Sequence, residues 1–331
     1  MNSIAVCLAQ RPAGLPGPEC FTLREAPLPT PGEGEVLVAV YFISIDPAMR
    51  GWMNEGKSYI PPVQLGDVMR ALAVGEVVES RAPGFAAGDW VRGAFGVQSH
   101  CAVPAKGLSK IDPVLAPPAR WLGGLGMPGM TAYFGLLDVC AHREGDIVLV
   151  SAANGAVGSV VGQLAKARGS KVIGVAGGPE KCRHVVETYG FDACIDYKSE
   201  QVARRVRDLA PDGIDIYFDN VGGETLEAAL ANLRKGARIG ICGAIGDYND
   251  MAHMKGPRNY LNLLVYSARM QGFVIFDYAA RYAEAEAALT AQYRDGKLTL
   301  AEHIEKGLAR FPEVLAMLFD GRNTAKLVLE V

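Results

Sequence analysis

The chain of 331 residues carries a formal net charge of −3, with 50% hydrophobic and 21% charged residues, the balance of a folded globular protein with material for two cores. That charge makes no electrostatic case for nucleic acid or an anionic membrane, and no apolar run reaches the ~18 residues a membrane-spanning helix needs. The segment Met1-Asn2-Ser3-Ile4-Ala5-Val6 lacks a basic start and turns polar at Gln10-Arg11, which argues against a secretory signal and predicts a cytoplasmic protein. The 7 cysteines form no C-x-x-C pair, so they suit a reducing compartment and not a zinc lobe.

In chain order, the first ~120 residues read as β-rich, with apolar or β-branched runs at 35–43 and 71–79 bounded by Pro and Gly. Proline-rich residues 12–31 predict an irregular connection. From Asp146 the rhythm becomes strand–helix alternation. Strands are expected at 147–150, 171–175, 193–195, 214–218, 238–242 and 271–276, with helices at 156–167, 180–189, 200–209 and 225–233. A long helix is expected over 278–294, then strands at 298–304 and 326–331 around a short helix at 312–319. This pattern predicts an α/β protein, a doubly wound parallel sheet joined to a β-rich domain. The expected division is 1–125, 126–298 and a segment 299–331 returning to the first domain. Residues 251–264, with Gly256-Pro257 and mixed polarity, are expected to form a mobile loop over the substrate.

The most informative stretch runs from Val148 to Gly162. A β-branched run stops at Ser151-Ala152-Ala153-Asn154-Gly155-Ala156-Val157-Gly158 and opens directly into a helix. Small residues let backbone approach a pyrophosphate, and the helix start supplies unpaired N–H groups. Alanine stands at Ala152, where the usual fingerprint has its first glycine. After the next strand, an NAD enzyme places an acid for the ribose 2′-hydroxyl. Here the strand ends in Val175-Ala176-Gly177-Gly178, and Lys181 follows inside the next helix. A lysine–phosphate contact contributes ~1.5–3 kcal/mol, roughly 10–100-fold in affinity, so NADP(H) is expected. A second reading remains open, in which Lys181 is a solvated surface lysine and Glu180 takes the 2′-hydroxyl. Asn220, in Asp219-Asn220-Val221-Gly222-Gly223, can face ribose or nicotinamide, or simply form a turn. The same choice holds for the stretch from Cys242 to Tyr248.

These segments resemble the medium-chain dehydrogenase/reductase superfamily, and more narrowly its zinc-independent alkenal/enone reductases, over nearly the whole chain. The carriers are Asp46-Pro47-Ala48-Met49-Arg50-Gly51, Met127-Pro128-Gly129-Met130-Thr131-Ala132-Tyr133, the Ala152–Gly158 loop, Glu180-Lys181-Cys182, Tyr217 to Gly223, and Ile241 to Ile245. The resemblance implies a GroES-like domain plus a Rossmann domain, a homodimer and no metal. It places the phosphate loop on Gly155, Ala156, Val157 and Gly158, and the 2′-phosphate contacts on Lys181 and Tyr197. It also places nicotinamide-side contacts on Asn220, Phe273, Val274 and Ile275, a further cofactor loop on Cys242, Gly243, Ala244, Ile245 and Tyr248, and a C-terminal contact on Asn323. Two departures stand out: Gly246-Asp247 before Tyr248, and Trp52, where bacterial relatives often carry Arg.

The zinc alcohol dehydrogenases of the superfamily need a Gly-His-Glu segment, which this sequence lacks, and its 5 histidines are scattered. The expected reaction is therefore conjugate reduction of an α,β-unsaturated aldehyde or ketone, with hydride delivered to the β-carbon. A donor must meet the charge developing on the carbonyl oxygen. Tyr248 is the first candidate and Tyr59 the second, each with the alternative of an amphipathic pocket wall. Quinone reduction on the same fold and a non-catalytic, crystallin-like NADPH-binding protein are the rival functions.

Overall fold

The computed structural model describes residues 2–56, 58–250, 253–254 and 256–331, in two compact units: Met1–Gly123 with Ala301–Val331, and Gly124–Leu300. The first unit opens with β1 (Asn2–Leu8), β2 (Phe21–Pro27) and β3 (Glu35–Ser44), then α1 (Ala48–Trp52), β4 (Ala73–Ser80), β5 (Trp90–Gly93), β6 (His100–Pro104) and β7 (Ser109–Lys110). The second unit holds α2 (Met127–Phe134), β8 (Ile147–Ser151), α3 (Gly158–Lys166), β9 (Lys171–Ala176), α4 (Pro179–Tyr189), β10 (Ala193–Asp196), α5 (Val202–Leu209) and β11 (Ile214–Asp219). It continues through α6 (Gly223–Leu230), β12 (Leu233–Ile241), α7 (Asn262–Val265), β13 (Arg269–Gly272) and α8 (Tyr282–Arg294). The chain then returns to the first unit with β14 (Glu302–Lys306), α9 (Phe311–Asp320) and β15 (Lys326–Glu330).

In the first unit, a mixed sheet runs β14-β15-β3-β4-β5-β7, with β6 also on β3. β15 lies antiparallel to β3, with Leu329 opposite Ile43, and parallel to β14. Alternate residues of β3 (Val36, Val38, Val40) are buried together with Phe311, Val314 and Leu315 of α9, as expected for strands with one face on a core. Two buried cations hold the loops. Lys326 bonds the Asp46 carboxylate and the Ile45 carbonyl, at 2.8 and 2.9 Å. Arg50 donates to the Gly14 carbonyl at 2.9 Å and to Asn54 Oδ1 at 2.5 Å, so it pins the proline-rich connection.

In the second unit, the sheet is parallel with order β10-β9-β8-β11-β12-β13. From β8 the chain winds outward through β9 and β10, then resumes at β11 on the other side. That reversal opens a crevice beyond the carboxyl ends of β8 and β11, where such sheets bind ligands. The strands are apolar on both faces: Val148, Leu149, Val150, Val172, Ile173, Ile216 and Phe218 are fully buried. Helices approach closely where glycines permit, and a Cβ at Gly162 of α3 would lie 1.8 Å from the Phe191 ring.

Several expected elements shift. The strand expected over 271–276 is Arg269–Gly272, and the chain then turns into a 3-10 helix at Ile275–Arg281. Phe273 leaves the ladder because its ring packs edge-on to Phe218, centroids 6.2 Å apart. The expected 278–294 helix is regular only from Tyr282, and β14 begins at Glu302 instead of 298. β12 begins at Leu233, earlier than the expected 238, because its polar start with Gly236 at φ +79° hides a bulged extended stretch. Of the expected loop at 251–264, residues 251, 252 and 255 lie outside the described residues; 258–261 form a 3-10 turn and 262–265 are α7.

Candidate functional site

The turn leaving β8 builds the first wall of the crevice. Ala152 takes φ +47°, the left-handed conformation that usually calls for glycine, and its carbonyl accepts from the Gly155 N–H at 2.8 Å. That turn throws the Ala152 carbonyl under Gly158, where a Cβ would lie 2.4 Å from the oxygen. Gly158 therefore has to be glycine for α3 to start at this height. Gly155, Ala156 and Val157 are half-buried along the rim of the helix start. Asn154 is fixed from α4, since His184 Nδ1 lies 2.7 Å from its Oδ1.

The second wall follows β9. Gly178 has φ +94°, and α4 starts at Pro179 with Lys181 in its first turn, half-buried. A Cβ at Gly177 would lie 2.9 Å from Tyr197 Cε1 and 3.1 Å from Lys198 Cε, so both side chains reach the same turn. Tyr197 is 53% exposed, leaving its ring available above that turn. One buried carboxylate ties the wall together. Asp196 Oδ1 accepts from the Gly178 N–H at 2.7 Å and the Lys198 N–H at 3.0 Å, and Oδ2 accepts from the Ser199 hydroxyl at 2.8 Å. Burial raises the Asp196 pKa, but those donors and the nearby Lys198 charge outweigh it and hold it below the usual aspartate range.

The floor lies between β8 and β11. Asn220 donates its amide to the Ser151 carbonyl at 2.7 Å, and its N–H donates to the Ser151 hydroxyl oxygen at 2.8 Å. Its Oδ1 is the atom left to meet a ligand. Beneath it, Asp219 Oδ1 collects the Tyr217 hydroxyl at 2.7 Å and the Val221 and Gly222 N–H groups at 2.9 Å. Asp219 Oδ2 is buried with no hydrogen-bond partner among the described residues. Burial pushes the Asp219 carboxyl above its ordinary pKa in spite of those donors.

The third wall is the loop after β12. Cys242 donates its N–H to the Asp219 carbonyl at 2.8 Å, and burial pushes its thiol up to about 12. Gly243 and Ala244 lie under Tyr248: a Cβ at Gly243 would be 3.0 Å from the phenol oxygen, which accepts from the Ala244 N–H at 3.2 Å. The Ile245 N–H donates to the Asn220 carbonyl at 3.2 Å, which locks this loop to the floor. Asp247 approaches the Gly222 turn, where a Cβ would meet its Oδ2 at 2.9 Å. Phe273, Val274 and Ile275 follow β13, half-buried, with Phe273 committed to packing on Phe218.

Asn323 and Tyr59 belong to the first unit. Asn323 donates to the Ala325 carbonyl at 3.0 Å. Tyr59 is 56% exposed and within electrostatic reach of Arg70, whose guanidinium lies over the Trp52 ring, 5.6 Å from its centroid. Arg70 also donates to the Pro61 carbonyl at 2.8 Å. Among the described residues, no three His, Cys, Asp or Glu side chains gather as metal ligands would.

Residues 5–111 match the family described as N-terminal domain of oxidoreductase, and residues 156–291 match the one described as zinc-binding dehydrogenase. The chain is 42% identical over 330 residues to the NADPH-dependent curcumin reductase of Escherichia coli (strain K12), covering 98% of this chain and 95% of that protein. The chain belongs to the zinc-independent enone reductases of the medium-chain superfamily. Within that family, the 2-alkenal reductase (NADP(+)-dependent) of Nicotiana tabacum is 40% identical over 304 residues, 91% of this chain and 88% of that one. The crystal structure of CurA from Vibrio vulnificus in complex with NADPH superposes with a TM-score of 0.93 at 41% identity, covering 99% of both chains.

Sequence reading missed the residues that hold this family's crevice in place: Asp196, Asp219, Ser151, Tyr217 and His184. Asp196 carried a usable signal, an acid at a strand end just before Tyr197 and facing a Gly-Gly turn. Asp219 and Ser151 carried none, because their pairing spans 68 positions of sequence.

Proposed function

We propose that the protein reduces the C=C bond of α,β-unsaturated aldehydes and ketones with NADPH. The observation that carries the cofactor reading is the β9–α4 wall. Its Gly177-Gly178 turn holds Asp196 inward, with both carboxylate oxygens on internal donors, while Tyr197 and Lys198 reach the turn and Lys181 follows it beside the exposed Glu180 in the first turn of α4. The residues present fit a nicotinamide dinucleotide: α3 starts directly beyond β8 behind the half-buried small residues Gly155 and Ala156, and at Gly178 even a Cβ would meet nothing within 4 Å.

Bound NADPH supplies the hydride for the β-carbon. The chain supplies the rest. The N–H groups at the start of α3 receive the pyrophosphate, supported by the helix dipole. Lys181 pairs with the 2′-phosphate, flanked by Tyr197 and Lys198. Asn220 Oδ1 orients the ribose or the carboxamide. Tyr248 donates its proton to the substrate carbonyl oxygen, and the Ala244 N–H on its own oxygen steadies the charge as that proton leaves. Tyr59, in the first unit, is the alternative candidate for that donor. The similarity to the curcumin reductase and the 2-alkenal reductase supports this substrate class over quinones.

The test is a panel of 2-alkenals, enones and quinones assayed with NADPH and NADH. Enone turnover with NADPH preferred is expected, and Lys181→Ala should lose ~10–100-fold of that preference. Equal use of both nucleotides by the wild type overturns the cofactor assignment.

We also propose that two copies pair in the cytoplasm. All four residues of edge strand β13 are exposed, Met270 among them, and Leu261, Leu264, Val265 and Phe276, close to it in sequence, expose further apolar surface. An uncovered apolar edge strand favours pairing with another chain. The seven cysteines are all unpaired, which suits a reducing compartment.

A further inference from the structure

Two thiols lie behind the wall that faces the 2′-phosphate. Cys182 is in α4, directly after Lys181, and Cys194 is in β10, three residues before Tyr197. Cys194 pairs in register with Gly174 of β9. A Cβ at Gly174 would face Val185, one turn beyond Cys182 on the same helix. The two side chains therefore face each other across the α4–β10 contact, near enough for each thiol to shift the pKa of the other. Cys182 Sγ also lies 3.9 Å from the Ala176 carbonyl, at the very end of β9. Four of the other five cysteines are buried; besides Cys242, this pair is what a small oxidant can reach. Cys242 has the buried Cys140 for a neighbour, and burial holds both of those thiols protonated.

We propose that Cys182 and Cys194 form a reversible disulfide that lowers affinity for the phosphorylated nucleotide; this rests on the 2′-phosphate role of Lys181 and Tyr197. The chemistry balances with a hydroperoxide as oxidant. The Cys182 thiolate attacks the peroxide, giving a sulfenic acid and releasing an alcohol or water. The Cys194 sulfur then attacks the Cys182 sulfur; its proton leaves with the departing hydroxide as water, and the S–S bond forms. Roles follow from that coupling: Cys194 lowers the Cys182 pKa and Cys182 raises that of Cys194, so thiolate forms first at Cys182. Burial raises the pKa of both thiols, so the pair resists casual oxidation at neutral pH and reacts faster as pH rises.

The coupling to the site is steric. A disulfide brings two sulfurs to about 2 Å. Closing to that length pulls the first turn of α4 toward β10. Tyr197 and Lys198 close over the Gly177 turn, with space there for no more than glycine, so the movement reaches both side chains. Lys181 and Tyr197 are displaced against each other. The outer parts of the cofactor, held by the α3 start and by Asn220, are untouched.

The experiment treats reduced, nucleotide-free protein with hydrogen peroxide and reads three quantities: peptide mass for the cross-link, the Kd of NADPH and the Kd of NADH. A Cys182–Cys194 link should appear, the Kd of NADPH should rise about tenfold or more while that of NADH holds, and dithiothreitol should restore both. Cys194→Ala and Cys194→Ser should bind NADPH normally and ignore peroxide; Cys182→Ala serves if neither folds. Peroxide that yields no link, or a link that leaves the Kd of NADPH unchanged, overturns the proposal. Failure of the cofactor reading shows separately, as equal NADPH and NADH affinity in the reduced protein before any oxidant is added.

Discussion

Ala152 illustrates how a single side chain sets the cofactor loop. Forcing an L-residue into the left-handed region costs about 1–2 kcal/mol, and the chain accepts this because the turn places the Ala152 carbonyl against Gly158. Glycine at this position relieves the strain but adds freedom to the unfolded chain, about 0.5–1 kcal/mol. Ala152→Gly should therefore be neutral to about 1 kcal/mol more stable in chemical denaturation. A clear loss of stability would mean that the methyl group packs against something essential. For catalysis, Tyr248→Phe should lower kcat by ~10²–10³ while leaving the Kd of NADPH unchanged, because it removes a donor to the developing oxyanion and not a phosphate contact. If Tyr59→Phe shows that loss instead, the proton comes from the first unit. These residues were legible in sequence because each sits in a local motif: strand, small-residue turn, helix. Asp219 and Ser151 were not, since their worth comes only from being neighbours across β8 and β11.

The β9–α4 and β10–α5 connections work as one piece through Asp196. Its folded pKa is depressed, so its contribution to stability is fully present above the ordinary aspartate value of ~3.9 and fades as pH falls through the lower folded value. Asp196→Asn keeps the shape and loses the charge. It should cost about 1–2 kcal/mol at neutral pH, the difference between charge-assisted and neutral hydrogen bonds. The gap between variant and wild type should close below about pH 4. Denaturation curves of both proteins across that range provide the check, and a gap that persists in acid would assign the loss to packing. Strong alternation made β8 to β11 and α3 to α5 readable from the sequence. The segment 271–276 misled because a short apolar run reads equally well as strand or as packing residues. Here only its first two residues belong to β13, and Phe273 turns inward.

For the molecule as a whole, the apolar residues beside β13 are the feature that a lone chain leaves unexplained. Sedimentation should give the mass of two chains, and Leu264→Asp with Val265→Asp should shift it toward one, since both side chains are more than two-thirds exposed. An unchanged mass would place the pairing surface elsewhere. The expected return of the last segment to the first domain rested on resumed strand patterning after the long helix. Which strands it joins was invisible, because partners 280 positions apart leave no local trace.

That long-range closure has a consequence for biosynthesis. The Lys326–Asp46 bond and the seating of β15 against β3 require residues made 280 positions apart. The nucleotide-binding unit is contiguous and can collapse on the ribosome as it emerges. The unit begun first must instead wait, with the 42–44 end of β3 unpaired on one side, until residue 330 leaves the exit tunnel. The order of synthesis and the order of completion are thus reversed, and the early strands are the ones that need a chaperone's shelter.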